Sequence, residues 1–290
     1  MNSYKLKNKS SFIMQIKHDY YMGTIKGWKK YAVVLIIFIL LCANFQRGLI
    51  ISREYGNFKE KSTFGNYIID IYKGVDISNR VDNKEKIEMP PGWILLNIFL
   101  SIVIGYYPLN DLKEYGTQIL IRSKKRWQWW LSKCLWIMGN VLIFYAIGYI
   151  VIAMFSLING DLSLTPNHNV NLAVLKLDTS SLTAKEVFSI GIVLPIVTSI
   201  ALSLIQLTIA MFSNSIYSNI FIISLIIVSI YYCSPILMGN YLMMLRNSIM
   251  VGVKGIGTST GIILDMAISF ISITLGIFKF RTYDIMGKNN

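Results

Sequence analysis

The side chains that could do chemistry in this chain are few and widely separated. The two histidines, His18 and His168, lie far apart and in different predicted compartments. The three cysteines fall inside or at the edge of apolar stretches, where packing is favoured over a disulfide or a metal site: Cys42, Cys134 and Cys233. The phosphate-cradling pattern G-x-x-x-x-G-K-[ST] is absent, since Gly287 and Lys288 are followed by Asn289. The sequence therefore predicts no catalytic constellation, no cofactor or metal site, and no ATP hydrolysis by this chain alone.

One acidic residue, Asp265, lies well inside an apolar stretch near the C-terminus. A charge inside a bilayer is costly, so a membrane-embedded carboxylate is a functional candidate by default. We expect Asp265 to lie near the outer end of the last helix, where Arg47, Arg246 or Lys254 could pair with it. Such a pair would either fix an outer gate or serve only to neutralise the charge. We favour structural pairing over a functional role for Asp265.

Long apolar blocks are the elements that must position these side chains. Hydrophobic residues make up 54% of the 290 residues and charged residues 15%. The apolar residues are concentrated in stretches near the roughly 20 residues that a helix needs to cross a bilayer. Two-residue alternation is absent, so the pattern predicts an all-α integral membrane protein rather than a closed barrel. The net charge of +13 is placed beside the apolar blocks, and we therefore expect no nucleic-acid partner.

The hydropathy pattern predicts six spans, at about residues 31–51, 93–109, 134–158, 187–212, 216–238 and 261–278. A basic segment, residues 1–30, precedes a membrane domain that covers residues 31–290. The segment 239–260 is apolar but contains Arg246, Lys254 and four glycines. We predict short helices at the outer face for this segment, and no seventh span.

Lysine and arginine sort to one side of the predicted membrane. Residues 1–30 carry seven basic and one acidic side chain, residues 110–133 carry six and two, and residues 279–290 carry three and one. The opposite connections are balanced, with seven of each sign in residues 52–91 and two of each in residues 159–185. Because basic connections stay in the cytoplasm, we expect both termini there. The abundance of isoleucine, lysine and asparagine suits an AT-rich bacterium, so the expected location is a bacterial plasma membrane.

The connection 110–133 differs in composition from an ordinary loop. It contains, in order, an acidic residue, a Gly-Thr pair, an apolar patch, a basic cluster and a lysine before the next helix: Glu114, Gly116, Thr117, Leu120, Arg126 and Lys133. This order resembles the first cytoplasmic loop in the transmembrane subunits of type-2 ABC exporters, which commonly reads E-x-G-T, an apolar patch, a basic residue and a lysine. The layout of a basic lead-in, six spans and a broken segment before the last also resembles that family.

The resemblance implies the type-2 ABC exporter arrangement, with an N-terminal interfacial helix and a coupling helix between the second and third spans. The coupling helix would dock into a groove of a separate cytosolic ATPase, through Asp111, Glu114, Tyr115, Gly116, Thr117, Leu120 and Arg122. ATP and Mg would be bound by that ATPase. The basic cluster 122–126 and the tryptophans 127, 129 and 130 also suit membrane anchors and an aromatic belt, and we expect both roles.

The lead-in, residues 11–30, places Phe12, Ile16 and Tyr20 at helical spacing. A helix with this apolar stripe would lie along the inner membrane surface. The alternative is a disordered basic tail in contact with anionic lipid.

The function that we favour is the permease subunit of an ATP-driven exporter, not catalytic alone, which pairs with a second identical or related permease. Few ionisable groups lie in the spans, so we expect a hydrophobic or amphipathic cargo, first a bacteriocin-like peptide. One alternative is an ion-coupled secondary transporter with Asp265 as its ion site. The absence of a clear internal repeat and the off-centre position of Asp265 argue against it. Another alternative is a membrane sensor or scaffold that recognises its partner through the loop 52–91.

Overall fold

Helices form nearly all the regular structure in the computed structural model, which describes residues 12–56, 60–76, 89–112, 116 and 126–281. Five of the described helices are long and apolar enough to cross a bilayer: Lys29–Glu54, Pro91–Asp111, Arg126–Asn159, Ala184–Phe212 and Thr258–Phe280. The prediction of an all-α membrane protein is therefore confirmed.

The elements are numbered along the chain. The first helix, α1, covers residues 12–20 and continues into a π-helical turn at Tyr21–Ile25. The next are α2 Lys29–Gly56, α3 Phe64–Tyr72, α4 Pro91–Gly105, α5 Tyr107–Asp111 and α6 Arg126–Asn159. They are followed by α7 His168–Leu175, α8 Ala184–Phe212, α9 Ser215–Tyr231, α10 Ser248–Val251 and α11 Thr258–Arg281. Two short strands, β1 Ser62–Thr63 and β2 Gly160–Asp161, pair in parallel.

Helix α9 is shorter than the span predicted at residues 216–238. It ends at Tyr231 and has 17 residues, which rise about 26 Å. Pro235 follows shortly, lacks an N–H and disfavours helical backbone at the residue before it. The chain continues as 3₁₀ turns at Met238–Leu242 and Met244–Arg246, and these turns are buried.

Helix α8 contains a π-helical turn, Ser189–Val193, just before Pro195. Proline has no N–H for the carbonyl of the residue four positions earlier, Gly191, and a wider turn accommodates this loss. The Gly191 carbonyl instead accepts a hydrogen bond from the Tyr149 hydroxyl at 3.2 Å. This contact fastens α8 to α6 at the irregular turn.

The core of the helix bundle lies where α8 contacts α11 and α6, and α2 packs along α6. At one end of the bundle, β1, α3, β2 and α7 fold together as a cap. Asn66 Nδ2 donates to Asn171 Oδ1 at 2.8 Å, and both side chains are buried. The described parts of the connections 52–91 and 159–185 therefore form one folded unit.

Candidate functional site

A buried group of charged side chains joins α1, α5 and α6 at the other end of the bundle. Lys133 Nζ lies 2.5 Å from Asp19 Oδ1 and 2.7 Å from Asp111 Oδ2. The Lys133 side chain is 0% exposed, and the aspartates are 5% and 4% exposed. We call Asp19, Asp111 and Lys133 the charge cluster. One ammonium between two carboxylates connects three elements that are distant in sequence.

Neutral donors complete the hydrogen bonding of the charge cluster. Tyr107 Oη donates to Asp19 at 3.0 Å, and Ser132 Oγ donates to the other Asp19 oxygen at 2.5 Å. Trp129 Nε1 donates to Asp111 Oδ2 at 3.2 Å. The Lys133 ammonium also lies over the Tyr107 ring at 4.6 Å and the Trp129 ring at 5.1 Å. Since buried charges are tolerated only when they are paired and hydrogen-bonded, the arrangement suits a rigid junction.

Helix α1 buries its polar side more deeply than its apolar stripe. The buried residues of α1 and the π-helical turn that follows it recur every fourth position: Gln15, Asp19 and Gly23. The predicted stripe is only half-buried, at Phe12, Ile16 and Tyr20. Burial raises the pKa of the Tyr20 hydroxyl above its ordinary value. Residues 12–25 are therefore a docked helix, and the alternative of a disordered tail does not hold for them.

The charge cluster is also the place where the described side chains come nearest to a metal-ligand set. Ligand atoms of His18, Asp19 and Asp111 lie within 4.8 Å of one another. The Lys133 ammonium, however, contacts both carboxylates. A metal ion would have to displace this cation and its hydrogen bonds. The geometry favours an internal ion pair over a metal centre.

Two of the predicted ATPase-docking residues, Asp111 and Gly116, fall within the described residues. Asp111 ends α5 and belongs to the charge cluster. Gly116 is buried, and a β-carbon there would come within 2.8 Å of the Asp111 carbonyl oxygen and 3.0 Å of Trp129 Nε1. The other predicted docking residues, Glu114, Tyr115, Thr117, Leu120 and Arg122, lie outside the described residues. Because Gly116 has no β-carbon, the connection can approach Asp111 of the charge cluster and the neighbouring Trp129 this closely.

The aromatic-belt interpretation is wrong for two of the three tryptophans. Trp129 and Trp130 are almost fully buried, and Phe280 of α11 packs against them at ring-centroid distances of 5.0 and 5.6 Å. Trp130 Nε1 donates to the Ile273 carbonyl at 3.0 Å. These rings fasten α6 to α11 beside the charge cluster. Trp127, 37% exposed, remains compatible with a belt.

Asp265 is fully buried in α11, but its partner differs from the prediction. Thr198 Oγ1 on α8 donates to Asp265 Oδ2 at 2.5 Å, and Oδ1 has no hydrogen-bond partner among the described residues. The expected pairing with a basic residue was wrong. Arg246 donates instead to the Ile230 carbonyl at 2.9 Å, while Arg47 and Lys254 are exposed. The contact therefore links α8 to α11 without an ion pair.

The residue of this site that sequence reasoning missed is Asp19. The available signal was its isolation, since it is the one acidic residue among the first 30, which also contain seven lysines. An acid kept within a basic segment indicates a specific partner rather than a solvated face. Its partner, Lys133, is predicted only as part of the motif in the connection 110–133.

Substituting Gly139 by alanine tests how closely α1 docks on α6. A β-carbon at residue 139 would overlap the Tyr20 hydroxyl, which donates to the Leu135 carbonyl at 3.4 Å. Overpacking costs about 1–3 kcal/mol, and 1.4 kcal/mol is about tenfold in an equilibrium. We expect Gly139→Ala to speed amide hydrogen exchange in residues 12–25 about tenfold, as measured by mass spectrometry.

The double variant Gly139→Ala with Tyr20→Leu restores room at this contact and should recover slow exchange. Tyr20→Leu alone serves as the control for loss of the tyrosine. Unchanged exchange in Gly139→Ala would contradict a close-packed contact between Tyr20 and Gly139.

Comparison with known proteins gives one match. A family model described as "Protein of unknown function (DUF2705)" matches residues 58–286, which is most of the chain. No curated protein and no solved structure matches the chain.

Proposed function

We propose that this chain, which belongs to the DUF2705 family of proteins of unknown function, is the membrane-spanning permease subunit of an ATP-driven exporter of the type-2 ABC class. In this proposal six helices span the plasma membrane of a bacterial cell, with α9 as the short fifth span, and both termini are cytoplasmic. A separate cytosolic ATPase binds ATP and Mg. The chain itself catalyses no reaction.

The observation that carries the proposal is the charge cluster. Asp111 and Lys133 lie near the two ends of the connection 110–133, and both contact each other directly, with Asp19 of α1 on the same ammonium. A partner that pushes this connection would therefore move α1, α5 and α6 together. Nucleotide-driven closure of an ATPase needs such a rigid attachment if it is to reorient membrane helices.

The interior of one copy supports pairing with a second permease. Between α4, α8 and α9 lies a cavity of about 10 Å³, which is room for one water molecule. Gln206 closes it, donating to the Ser101 carbonyl at 2.9 Å and to Asn219 Oδ1 at 2.6 Å. A transport path would then lie between two copies or related subunits. The neutral, mostly apolar helix surfaces suit a hydrophobic or amphipathic cargo, first a peptide.

Affinity purification in mild detergent tests the proposal. The wild-type chain should recover an ATPase with nucleotide-binding motifs in stoichiometric amount. Charge reversal in the predicted docking segment, Glu114→Lys, should reduce this recovery at least roughly tenfold, because breaking one charged contact costs about 1.5–3 kcal/mol. Recovery is measured by quantitative mass spectrometry of the purified complex.

The matched control is Asp161→Lys, a charge reversal at an exposed residue of β2 in the cap. It should leave ATPase recovery unchanged. An active transporter purified without any ATPase, or equal recovery with Glu114→Lys, would contradict the proposal. The first result would favour the ion-coupled alternative, for which the relevant feature is Asp265 Oδ1, an oxygen with no hydrogen-bond partner in the described part of the chain.

A further inference from the structure

A second polar site lies at the far end of the α4–α5 span from the charge cluster. It is a cavity of about 120 Å³ between α2, α3 and α4. Its polar lining comes from Asn44, Asp70 and Lys73, and its apolar lining includes Leu41 and Trp93. A single buried water needs about 10–15 Å³ measured in this way. The cavity is therefore large enough for a small polar group.

The two charges in this cavity lie side by side. Lys73 Nζ is 3.0 Å from Asp70 Oδ1, and the two side chains are 35% and 14% exposed. Burial raises the pKa of Asp70, and the neighbouring Lys73 opposes that effect. The Lys73 ammonium is thus the more accessible charge, while the carboxylate lies deeper. The pair keeps the site electrically neutral when nothing else occupies it.

Hydrogen bonds to the segment between α9 and α11 hold the walls of the cavity. Trp93 Nε1 donates to the Leu242 carbonyl at 2.8 Å, and Leu245 N donates to the Lys73 carbonyl at 3.0 Å. Gly74, which has a φ of +68°, packs against Met243 so closely that a β-carbon would not fit. The site is therefore built on fixed backbone and does not depend on a chance arrangement of surface side chains.

The cavity also lies beside the start of an apolar span. It opens beside the first turn of α4, Pro91 to Trp93, where the apolar span begins. Leu41 and Asn44 place α2 on its other side. At the end of an apolar span, hydrocarbon gives way to lipid head groups. A ligand with an acyl chain can reach the cavity from the bilayer.

We propose that this cavity binds a phosphoethanolamine group, with the primary ammonium at Asp70 and the phosphate at Lys73. Such a compact zwitterion exchanges the internal ion pair for two charge-assisted contacts and leaves the site neutral. A trimethylated ammonium cannot donate hydrogen bonds to Asp70, and an anionic head group without an amine leaves Asp70 without a new partner. The source is either a membrane phospholipid or the free compound. The inference is independent of ATP coupling.

Native mass spectrometry of the purified full chain tests this site without an ATPase. The protein is stripped of lipid in detergent and titrated with phosphatidylethanolamine, phosphatidylcholine or phosphatidylglycerol of matched acyl chains. We expect phosphatidylethanolamine to bind about tenfold more tightly than the other two, since one charge-assisted contact is at stake. Soluble O-phosphoethanolamine is added in competition: displacement assigns the site to the head group alone, and no displacement assigns it to the lipid.

Lys73→Gln should weaken the binding of all three lipids, because they share the phosphate, whereas Asp70→Asn should abolish the preference for phosphatidylethanolamine. Asp161→Asn and Lys185→Gln, which alter exposed charges elsewhere in the chain, should preserve it. Size-exclusion chromatography checks that each variant is folded, and Lys73→Gln keeps the test valid if Asp70→Asn is not. Equal binding of the three lipids by wild type, an unchanged preference in folded Asp70→Asn, or unchanged affinities in folded Lys73→Gln would overturn the proposal.

Discussion

Replacing Lys133 with methionine is expected to lower the apparent melting temperature of the purified protein by about 10 °C. The side chain keeps its length but loses its charge, so that Asp19 and Asp111 face each other in a buried site. Removing one partner from a buried ion pair costs about 3–5 kcal/mol, and 1 kcal/mol shifts the melting temperature by about 2–4 °C in a domain of about 150–250 residues. Thermal challenge followed by fluorescence-detected size exclusion measures the shift.

A neutral version of the charge cluster separates charge from packing. The triple variant Lys133→Met with Asp19→Asn and Asp111→Asn has no buried charge, and should recover most of the lost stability. Lys17→Met, at an exposed position on α1, is the matched control and should change the melting temperature by less than about 2 °C. The role assigned to the charge cluster is wrong if Lys133→Met and Lys17→Met melt alike.

The helical fold was predictable because its signal is local. Each long apolar block can satisfy its backbone only as a helix in hydrocarbon, and hydropathy alone therefore identifies the bundle. The ends of the helices depend on distant partners. Helix α6 begins at Arg126, before the predicted start of the third span at residue 134, and Ser132 and Lys133 in this additional part have hydrogen-bond partners on α1 that a hydropathy window does not detect.

The candidate site was predictable only in part, for the same reason. Asp111, Gly116 and Lys133 were singled out by the order of residue types in one connection. Asp19 is more than 100 positions away from Lys133, and only the fold brings them together. The prediction for Asp265 was wrong because it assumed that a buried acid seeks a basic residue, whereas the nearest available donor is the Thr198 hydroxyl.

The charge cluster and the tryptophan contacts lie next to each other on α6, which gives this helix two different kinds of attachment. Charges fix α6 to α1 and α5, while Trp129 and Trp130 fix it to Phe280 of α11. Ion pairs impose specific geometry, and apolar contacts contribute in proportion to buried area. If a partner pushes on the connection 110–133, we expect α11 to move together with α6 only while Phe280 stays packed against the two tryptophans.

Substituting Gly276 by alanine is expected to disrupt this second attachment. A β-carbon at residue 276 would overlap the Trp130 ring of α6, which is fully buried. A hydrogen bond from this ring to the carbonyl of Ile273, which like Gly276 belongs to α11, holds the ring in place. Helix propensity alone would make alanine better than glycine by about 0.5–1 kcal/mol. Overpacking reverses the sign, and we expect Gly276→Ala to be destabilised by about 1–3 kcal/mol in the same thermal assay.

Two comparisons make this expectation specific to the aromatic contact. Gly48→Ala adds the same methyl to α2, where it would meet only a side-chain methyl of Val174 at 3.0 Å, and should change stability by less than about 1 kcal/mol. Trp130→Phe makes room for the added methyl, so the double variant with Gly276→Ala should be more stable than the sum of the single effects predicts. Strict additivity would mean that Gly276 and Trp130 act independently and that α11 is fastened to α6 elsewhere.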